Sequence, residues 1–469
     1  MTTLSPDIMV IGGGSAGLTV AAAASSFGHK VVLAEADKMG GDCLNSGCVP
    51  SKSLIAAARA ADAARSATAL GITAQPAVDY SAVHRHIHSV IDGIAPHDSQ
   101  ERFEGLGVTV LRDYARFTDA QTVECAGHTI RAKRMVIATG SRPRVPPIPG
   151  LVECDPLTNE SVFDLTNLPG RLAVIGGGAI GCELGDAFSR LGSEVTILEG
   201  ATILAKEDPD AAAVVRHAMS ARGVTIREGV SVERCERTGN GVTLHLSEGY
   251  PVTADRVLVA TGRAANIEKL GLDAAGIETT PTGIRVDKGL RTTNRKVYAL
   301  GDVAGGLQFT HVAGHHASLA VRSIVFRMPV KFRPELMPRA TFTSPEVAQV
   351  GLTEAEAKAA DPAARAFTAP LADNDRARTA LETEGFVKLI LSGKGKLMGT
   401  TIVAPHAGEM IAMYALAMSA GIKPSAIASF TPPYPTLSEA GKRAATQFFA
   451  EKLSAPWVNT VLGLLKKLP

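Results

Sequence analysis

Aromatic residues make up only 4% of the 469-residue chain, with a single tryptophan, which argues against a stacking platform for single-stranded nucleic acid. A dominant charge sign is also missing. Lys and Arg total 48 against 46 Asp and Glu, so no global field recruits nucleic acid or an acidic membrane. No window of about 20 apolar residues is present to span a bilayer. Met1 to Pro6 carry no basic segment or cleavage site, so a secretory leader is not expected. The six cysteines (Cys43, Cys48, Cys125, Cys154, Cys182 and Cys235) are too few for a disulfide scaffold, and a cytoplasmic location with mostly buried thiols is the expectation. Glycine is in excess: 46 residues, about a tenth of the chain against a usual ~7%. That composition disfavours disorder and fits a multidomain enzyme with many strand-to-helix turns.

The glycines are organised by an internal repeat. Asp7 to Ile11 reads as a buried parallel strand, followed at once by Gly12-Gly13-Gly14-Ser15-Ala16-Gly17. An Ala-rich helix to about Phe27 and a strand from Lys30 to Ala34 lead to Glu35. The second copy runs from Leu172 to Ile175 into Gly176-Gly177-Gly178-Ala179-Ile180-Gly181, a helix to about Leu191, a strand from Glu194 to Leu198, and Glu199. Both acids stand the same distance beyond their first glycine. This is the dinucleotide-binding fingerprint. The first glycine permits the sharp turn, the second lets a pyrophosphate approach the backbone, and the third lets helix and strand pack closely. The helix N-terminus offers free N–H groups to phosphate, and the acid accepts from ribose hydroxyls. A second match follows each copy: Met135 to Ile137 runs into Ala138-Thr139-Gly140, and Val257 to Val259 into Ala260-Thr261-Gly262. Both read as returning strands ending against a bound dinucleotide. Two such folds imply two nucleotides, most economically FAD and a nicotinamide.

Cys43 and Cys48 lie in Gly40-Gly41-Asp42-Cys43-Leu44-Asn45-Ser46-Gly47-Cys48-Val49-Pro50-Ser51-Lys52. The stretch from Ser53 to Ala69 reads as a helix with Pro50 in its first turn, so Cys48 sits where the helix dipole favours thiolate. The spacing is compatible with a small disulfide ring without proving one, and zinc would want further Cys or His ligands nearby. Two unrelated buried cysteines are the alternative.

This run, both glycine fingerprints and Leu300-Gly301-Asp302 resemble the flavin-dependent pyridine nucleotide–disulfide oxidoreductases over essentially the whole chain. That family includes dihydrolipoamide dehydrogenase, glutathione reductase and mercuric reductase. The resemblance implies an α/β fold with two Rossmann-like dinucleotide-binding domains plus a C-terminal α+β interface domain. The expected divisions are an FAD domain over 1–145, an NAD(P) domain over 146–265, a return segment over 266–335 and a dimerisation domain over 336–469. It implies that Gly12, Gly14, Ser15, Ala16, Gly17 and Glu35 hold the ADP half of FAD, with Gly41, Asp42, Ala138, Thr139, Gly140, Gly301 and Asp302 also at the flavin cofactor. Asp302 would lie near the ribityl chain; Asp42 stands where the family carries threonine at a phosphate contact. Gly176, Gly178, Gly181, Glu199, Ala260, Thr261 and Gly262 would serve the nicotinamide. Lys52, paired with Glu183, would lie beside the flavin N5 edge. Cys48 would be the charge-transfer thiolate next to the flavin, and Cys43 the interchange thiol facing the acceptor. Glu199 favours a free ribose 2′-hydroxyl, hence NADH, with NADPH left open.

From about Pro338 the pattern changes, with strands at Phe386 to Leu391 and Leu397 to Val403 and a helix from Ala407 to about Ala420. By resemblance this region builds a homodimer with shared active sites, each subunit supplying a histidine and, five residues later, a glutamate as an acid–base pair. Here Glu439 is present and Tyr434 replaces the histidine. A phenol with a pKa near ~10 is a poor base at neutral pH, whereas a soft metal ion held by thiolates needs none. Mercuric reductases also carry tyrosine there, and Leu371 to Ala377 and Gly385 to Lys388 resemble that branch. No resident metal is expected; Cys43 and Cys48 would ligate Hg(II) as substrate. The given sequence closes with Leu464 to Pro469 and shows no terminal cysteine pair of that branch, and an appended N-terminal metal-binding domain is not expected. The rival reading is a dihydrolipoamide dehydrogenase with an altered proton shuttle, using His311, His315 or His316. A third is a non-catalytic flavoprotein subunit, against which Cys43, Cys48 and Lys52 argue. His84 and His88 share a helix face that reads as solvated, and Cys182 as a packing residue. The tail from Trp457 reads as docked on the dimer body.

Overall fold

The computed structural model describes residues 2–239, 241–453 and 456–468. It divides into two compact units, Met1–Gly200 with Arg227–Pro334, and Ala201–Ile226 with Glu335–Pro469.

In the first unit, strand Ile8–Ile11 pairs in parallel with Val31–Ala34 on one side and Arg134–Ile137 on the other. Thr109–Leu111 and Val297–Ala299 complete a five-stranded parallel sheet. Its strands are apolar at nearly every position because both faces are covered. Ile8 and Val10 face one core with Leu18, Ala21, Ala317 and Ala320 from helices Ser15–Ser26 and Thr310–Ile324. Met9 and Ile11 face the other, with Phe117, Ile130 and Leu272.

The second copy has the same wiring. Strand Arg171–Ile175 lies between Glu194–Glu199 and Arg256–Val259, all parallel. Its crossover helix, Ala179–Leu191, stops at Gly192, whose φ of 119° ends the helix in the left-handed region. The repeat extends to single hydrogen bonds. Gly12 N–H donates to Ala34 O and Gly176 N–H to Leu198 O, both at 2.8 Å. The two returning strands leave through Ser141–Pro143 and Arg263–Ala265, which pair antiparallel as a short ribbon.

The second unit is built on a five-stranded antiparallel sheet in the order Arg339–Thr341, Glu346–Gly351, Leu397–Ala404, Phe386–Leu391, Arg365–Pro370. Helices Ala407–Ser419 and Glu439–Leu453 share its core through Ile411, Tyr414, Ala440 and Ala444. Ala201–Ile226, which the sequence reading puts inside the 146–265 domain, groups with this unit. Lys388, buried on a central strand, donates to both oxygens of Asp208 at 3.0 Å, and Arg339 reaches Glu207 at 3.0 Å. Among the described residues no helix is long and apolar enough to cross a membrane. The tail is helical over Pro456–Leu465 with Leu464 and Leu465 exposed; Pro469 lies outside the described residues.

Candidate functional site

The two glycine turns require glycine for the same atomic reasons. A Cβ on Gly12 would stand 2.4 Å from Ala138 O and one on Gly176 2.5 Å from Ala260 O, and both residues have positive φ. On Gly17 and Gly181 a Cβ would fall 1.9 Å from the carbonyl oxygen of the first glycine of the turn. The middle glycines differ. A Cβ on Gly178 meets nothing within 4 Å, and on Gly14 it meets only Gly41 Cα at 3.8 Å. Both following helices begin without a side-chain cap. Open backbone, uncapped N–H groups and the helix dipole together fit a pyrophosphate at each turn.

Each acid is anchored identically: Glu35 accepts from Gly13 N–H and Glu199 from Gly177 N–H, both at 2.6 Å. Ala138 and Ala260 abut the first glycines through their backbones. The hydroxyls of Thr139 and Thr261 turn instead to Asn266 O and Arg144 O at 2.7 and 2.8 Å, tying the exit ribbon. Cys182, discounted by sequence, donates to Gly177 O inside the second turn.

The cysteine segment docks on the first turn. Gly40 N–H donates to Gly13 O at 2.9 Å, and a Cβ on Gly41 would approach Gly14 Cα to 2.8 Å. Cys43 lies in the short helix Gly41–Asn45, and Cys48 is the first residue of helix Cys48–Ser66, one turn earlier than its sequence-expected body. The two thiols interact directly and differ in acidity. The Cys43 thiol donates to Cys48 and pulls it down to about 6, helped by Thr310 and by the Lys52 charge. The Thr310 hydroxyl is 3.3 Å from Cys48 Sγ. Cys43 is pushed up by that bond, by burial and by the charge on Cys48. Lys52 Nζ donates to Glu183 Oε2 at 2.9 Å, and Glu183 is 7% exposed. This brings helix Cys48–Ser66 onto the second nucleotide helix.

Asp302 accepts from Ser141 Oγ at 2.6 Å, while burial raises its carboxyl. Gly301 N–H donates to His316 Nδ1 at 3.1 Å, and burial drops that imidazole to about 4, so His316 is no acid at neutral pH. The His84 and His88 rings lie 4.3 Å apart, tilted at 50°, and among the described residues no group of three or more candidate ligands could hold a metal. His86 lines a hollow of about 390 Å³ with Cys48, Lys52, Val90 and Ile94. Cys154 and Cys235 are buried and in contact, with Cys235 pushed up to about 12 by burial.

In the second unit Tyr434 is 72% exposed and donates its hydroxyl to Asp375 Oδ2 at 3.1 Å, which raises its pKa. Glu439 accepts from Thr436 N–H at 3.4 Å. Asn374 ties the tyrosine loop down through Thr436 O at 3.0 Å. Sequence reading missed Thr310, Ser141, Asn159, Arg263 and Asp375. Ser141 and Arg263 carried a signal, since each directly follows one copy of the Ala-Thr-Gly repeat. Asp375 lies in the Leu371 to Ala377 run already noted for its resemblance, without a role given to it, and Thr310 and Asn159 have no local mark.

A family model described as pyridine nucleotide-disulphide oxidoreductase matches residues 6–317, and that family's dimerisation domain matches residues 337–445. A mercuric reductase of Bacillus cereus is 35% identical over 449 residues, covering 94% of this chain and 71% of the relative. Dihydrolipoyl dehydrogenase 2 of Haloarcula marismortui is also 35% identical, over 94% of this chain and 96% of its own. Among solved structures, the HOCl-induced flavoprotein disulfide reductase RclA from Escherichia coli aligns with a TM-score of 0.85 at 29% identity, covering 94% of this chain and 99% of that one. LpdA from Mycobacterium tuberculosis aligns with a TM-score of 0.86 at 28% identity, over 96% of this chain and 100% of its own. With two matched nucleotide folds, a docked cysteine loop and near full-length relatives, the chain belongs to the pyridine nucleotide-disulphide oxidoreductases, FAD-dependent enzymes that use NAD(P)H.

Proposed function

We propose that this enzyme takes electrons from NADH and delivers them through the Cys43–Cys48 pair to a soft metal ion, in the manner of the mercuric reductases. Gly12, Gly14, Gly17 and Glu35 hold FAD, and Gly176, Gly178, Gly181 and Glu199 hold the nicotinamide. Bound FAD supplies the two-electron relay between nicotinamide and sulfur. In the dithiol state Cys48 carries the negative charge on the flavin side, and Cys43 exchanges with the acceptor as the interchange thiol does in the family, releasing its proton as it bonds. Lys52, oriented by Glu183, holds positive charge beside the reacting centre. In the homodimer built by the family's dimerisation domain, Tyr434 serves the disulfide of the partner subunit.

The observation that carries the metal reading is Tyr434. A phenol is already protonated at neutral pH and its bond to Asp375 raises its pKa further, so it does not supply the base that dithiol chemistry uses. A thiolate pair loaded with a soft cation needs no such base. A copper complex of the Escherichia coli relative lends support from a second metal. The test is NADH oxidation with Hg(II)–thiol complexes, lipoamide and glutathione disulfide side by side. Hg(II) complexes should turn over fastest, and Tyr434→His should raise lipoamide turnover by about 10-fold or more, within the range of acid–base catalysis. Fast lipoamide turnover by the wild type would favour the second reading, a dihydrolipoyl dehydrogenase, which the equal identity to that relative keeps in view.

Glu199 supports NADH as the donor. Its carboxylate is fixed on Gly177 N–H, so a 2′-phosphate there would meet negative charge. We expect kcat/KM for NADH to exceed that for NADPH by about 10-fold or more, and Glu199→Ala to narrow the gap. A higher kcat/KM with NADPH would overturn the assignment.

A further inference from the structure

The residue before the interchange cysteine is an acid, and both of its oxygens are engaged by the protein. Asp42 Oδ1 accepts from Ser46 Oγ at 2.9 Å and from Asn159 Nδ2 at 3.0 Å. Oδ2 lies 3.2 Å from Arg263 Nη2. The Asp42 carbonyl accepts from Ser46 N–H at 2.9 Å, closing the turn between the two cysteines. The loop wraps directly over the acid: a Cβ on Gly47 would stand 2.8 Å from Asp42 O and 3.0 Å from Asp42 Oδ2. Asn159 adds a bond to Ser46 O at 3.2 Å, so one buried amide holds both ends of the turn.

Arg263 is anchored as firmly. It donates to Ser141 Oγ and O at 2.7 and 2.8 Å and to Asn159 Oδ1 at 3.3 Å, and lies 3.9 Å from Asp302. The guanidinium, with its side chain 10% exposed, thus lies between two carboxylates, one in the cysteine loop and one at the flavin-side turn. An acid so occupied, with its charge balanced by arginine, is poorly suited to meet a phosphate.

We propose that Asp42, through Arg263 and Asn159, is a positioning residue that clamps the Cys43–Cys48 loop in the shape the disulfide requires. The proposal rests on those two cysteines being the redox pair. A clamped loop holds the reduced thiols near bonding distance, so closure loses little further freedom. Without the clamp the dithiol form relaxes while the disulfide form stays constrained, and the equilibrium moves toward the dithiol.

The exchange used to read this is balanced. Reduced dithiothreitol gives two electrons and two protons to the Cys43–Cys48 disulfide, yielding two protein thiols and cyclic oxidised dithiothreitol. The FAD-loaded protein is equilibrated in dithiothreitol redox buffers, and the thiols are trapped by alkylation and counted by intact mass, a readout independent of turnover. Asp42→Ala should shift the equilibrium toward dithiol by about 10-fold, equivalent to about 30 mV. Asp42→Asn, which keeps the neutral hydrogen bonds and loses the charge pair, should shift it by about threefold; it carries the test if the alanine variant fails to fold. Arg263→Gln should shift it in the same direction, and adding it to Asp42→Asn should give less than the sum of the two shifts. Folded variants with an unchanged equilibrium, or shifts that add in full, would overturn the clamp while leaving the proposed function standing. A wild type that forms no Cys43–Cys48 disulfide in oxidised dithiothreitol would instead remove that function, and the clamp with it.

Discussion

Replacing Cys48 with serine should lower acceptor turnover by about 1,000-fold or more, because the relay between the nicotinamide half and the acceptor then lacks one of its sulfurs. Reduction of the bound flavin by NADH should persist, since the glycine turns and their acids are untouched. Cys43→Ser should cost a similar factor and leave a different signature. Its remaining Cys48 should still ionise, but at a higher pH than in the reduced wild type. The Cys43 thiol is the largest cause of the depressed value, and the Thr310 hydroxyl and Lys52 charge remain. In the reduced wild type the thiolate should appear as pH rises through about 6, well below the usual thiol range near ~8.5. The long-wavelength thiolate-to-flavin absorption of the reduced protein reads this titration directly. A band that survives in Cys48→Ser would reverse the roles given to the two sulfurs.

The second large effect separates the two nucleotide sites. Gly17→Ala and Gly181→Ala introduce the same methyl group into equivalent turns, each 1.9 Å from a backbone carbonyl oxygen. Nothing at that distance can yield without moving the helix off its strand, and strain of this kind costs a few kcal/mol, about 2 to 4. The consequences should differ by site. Gly17→Ala should purify with little or no flavin. Gly181→Ala should stay yellow and lose reduction by NADH by about 100-fold, while chemical reduction with dithionite proceeds normally. Absorbance of the purified protein and stopped-flow reduction measure the two halves separately. A Gly181→Ala variant that lost flavin and kept NADH reduction would exchange the two assignments.

These experiments probe features that were readable in unequal measure. The glycine turns, their acids and the returning strands are local patterns within short stretches, and the turn chemistry dictates them wherever they occur. The helix start at Cys48 is local in the same sense. The partners are not. Glu183 stands 131 positions from Lys52, and Thr310 stands 262 from Cys48. The Lys52–Glu183 pair could be expected only through a family resemblance. Asp42 looked like a departure from a phosphate-binding threonine, and nothing near it in sequence foretold that Asn159 and Arg263 would take its carboxylate. Tyr434 stands out against the family pattern as a missing histidine, yet the acid that accepts from its hydroxyl, Asp375, lies on a separate helix.

From the order of its residues alone, this chain determined two nucleotide cradles and a paired-cysteine segment at a helix start; the phenol in place of an imidazole showed only against the family pattern. The cradles and the segment depend on backbone conformation or side-chain chemistry within a few positions. Only the tertiary structure decided which carboxylates meet Arg263 and Tyr434, and that the Thr310 hydroxyl and the Cys43 thiol both lie against Cys48. Those outcomes follow from burial and from charges brought together across long stretches of chain, and both exist only once the sheets have packed.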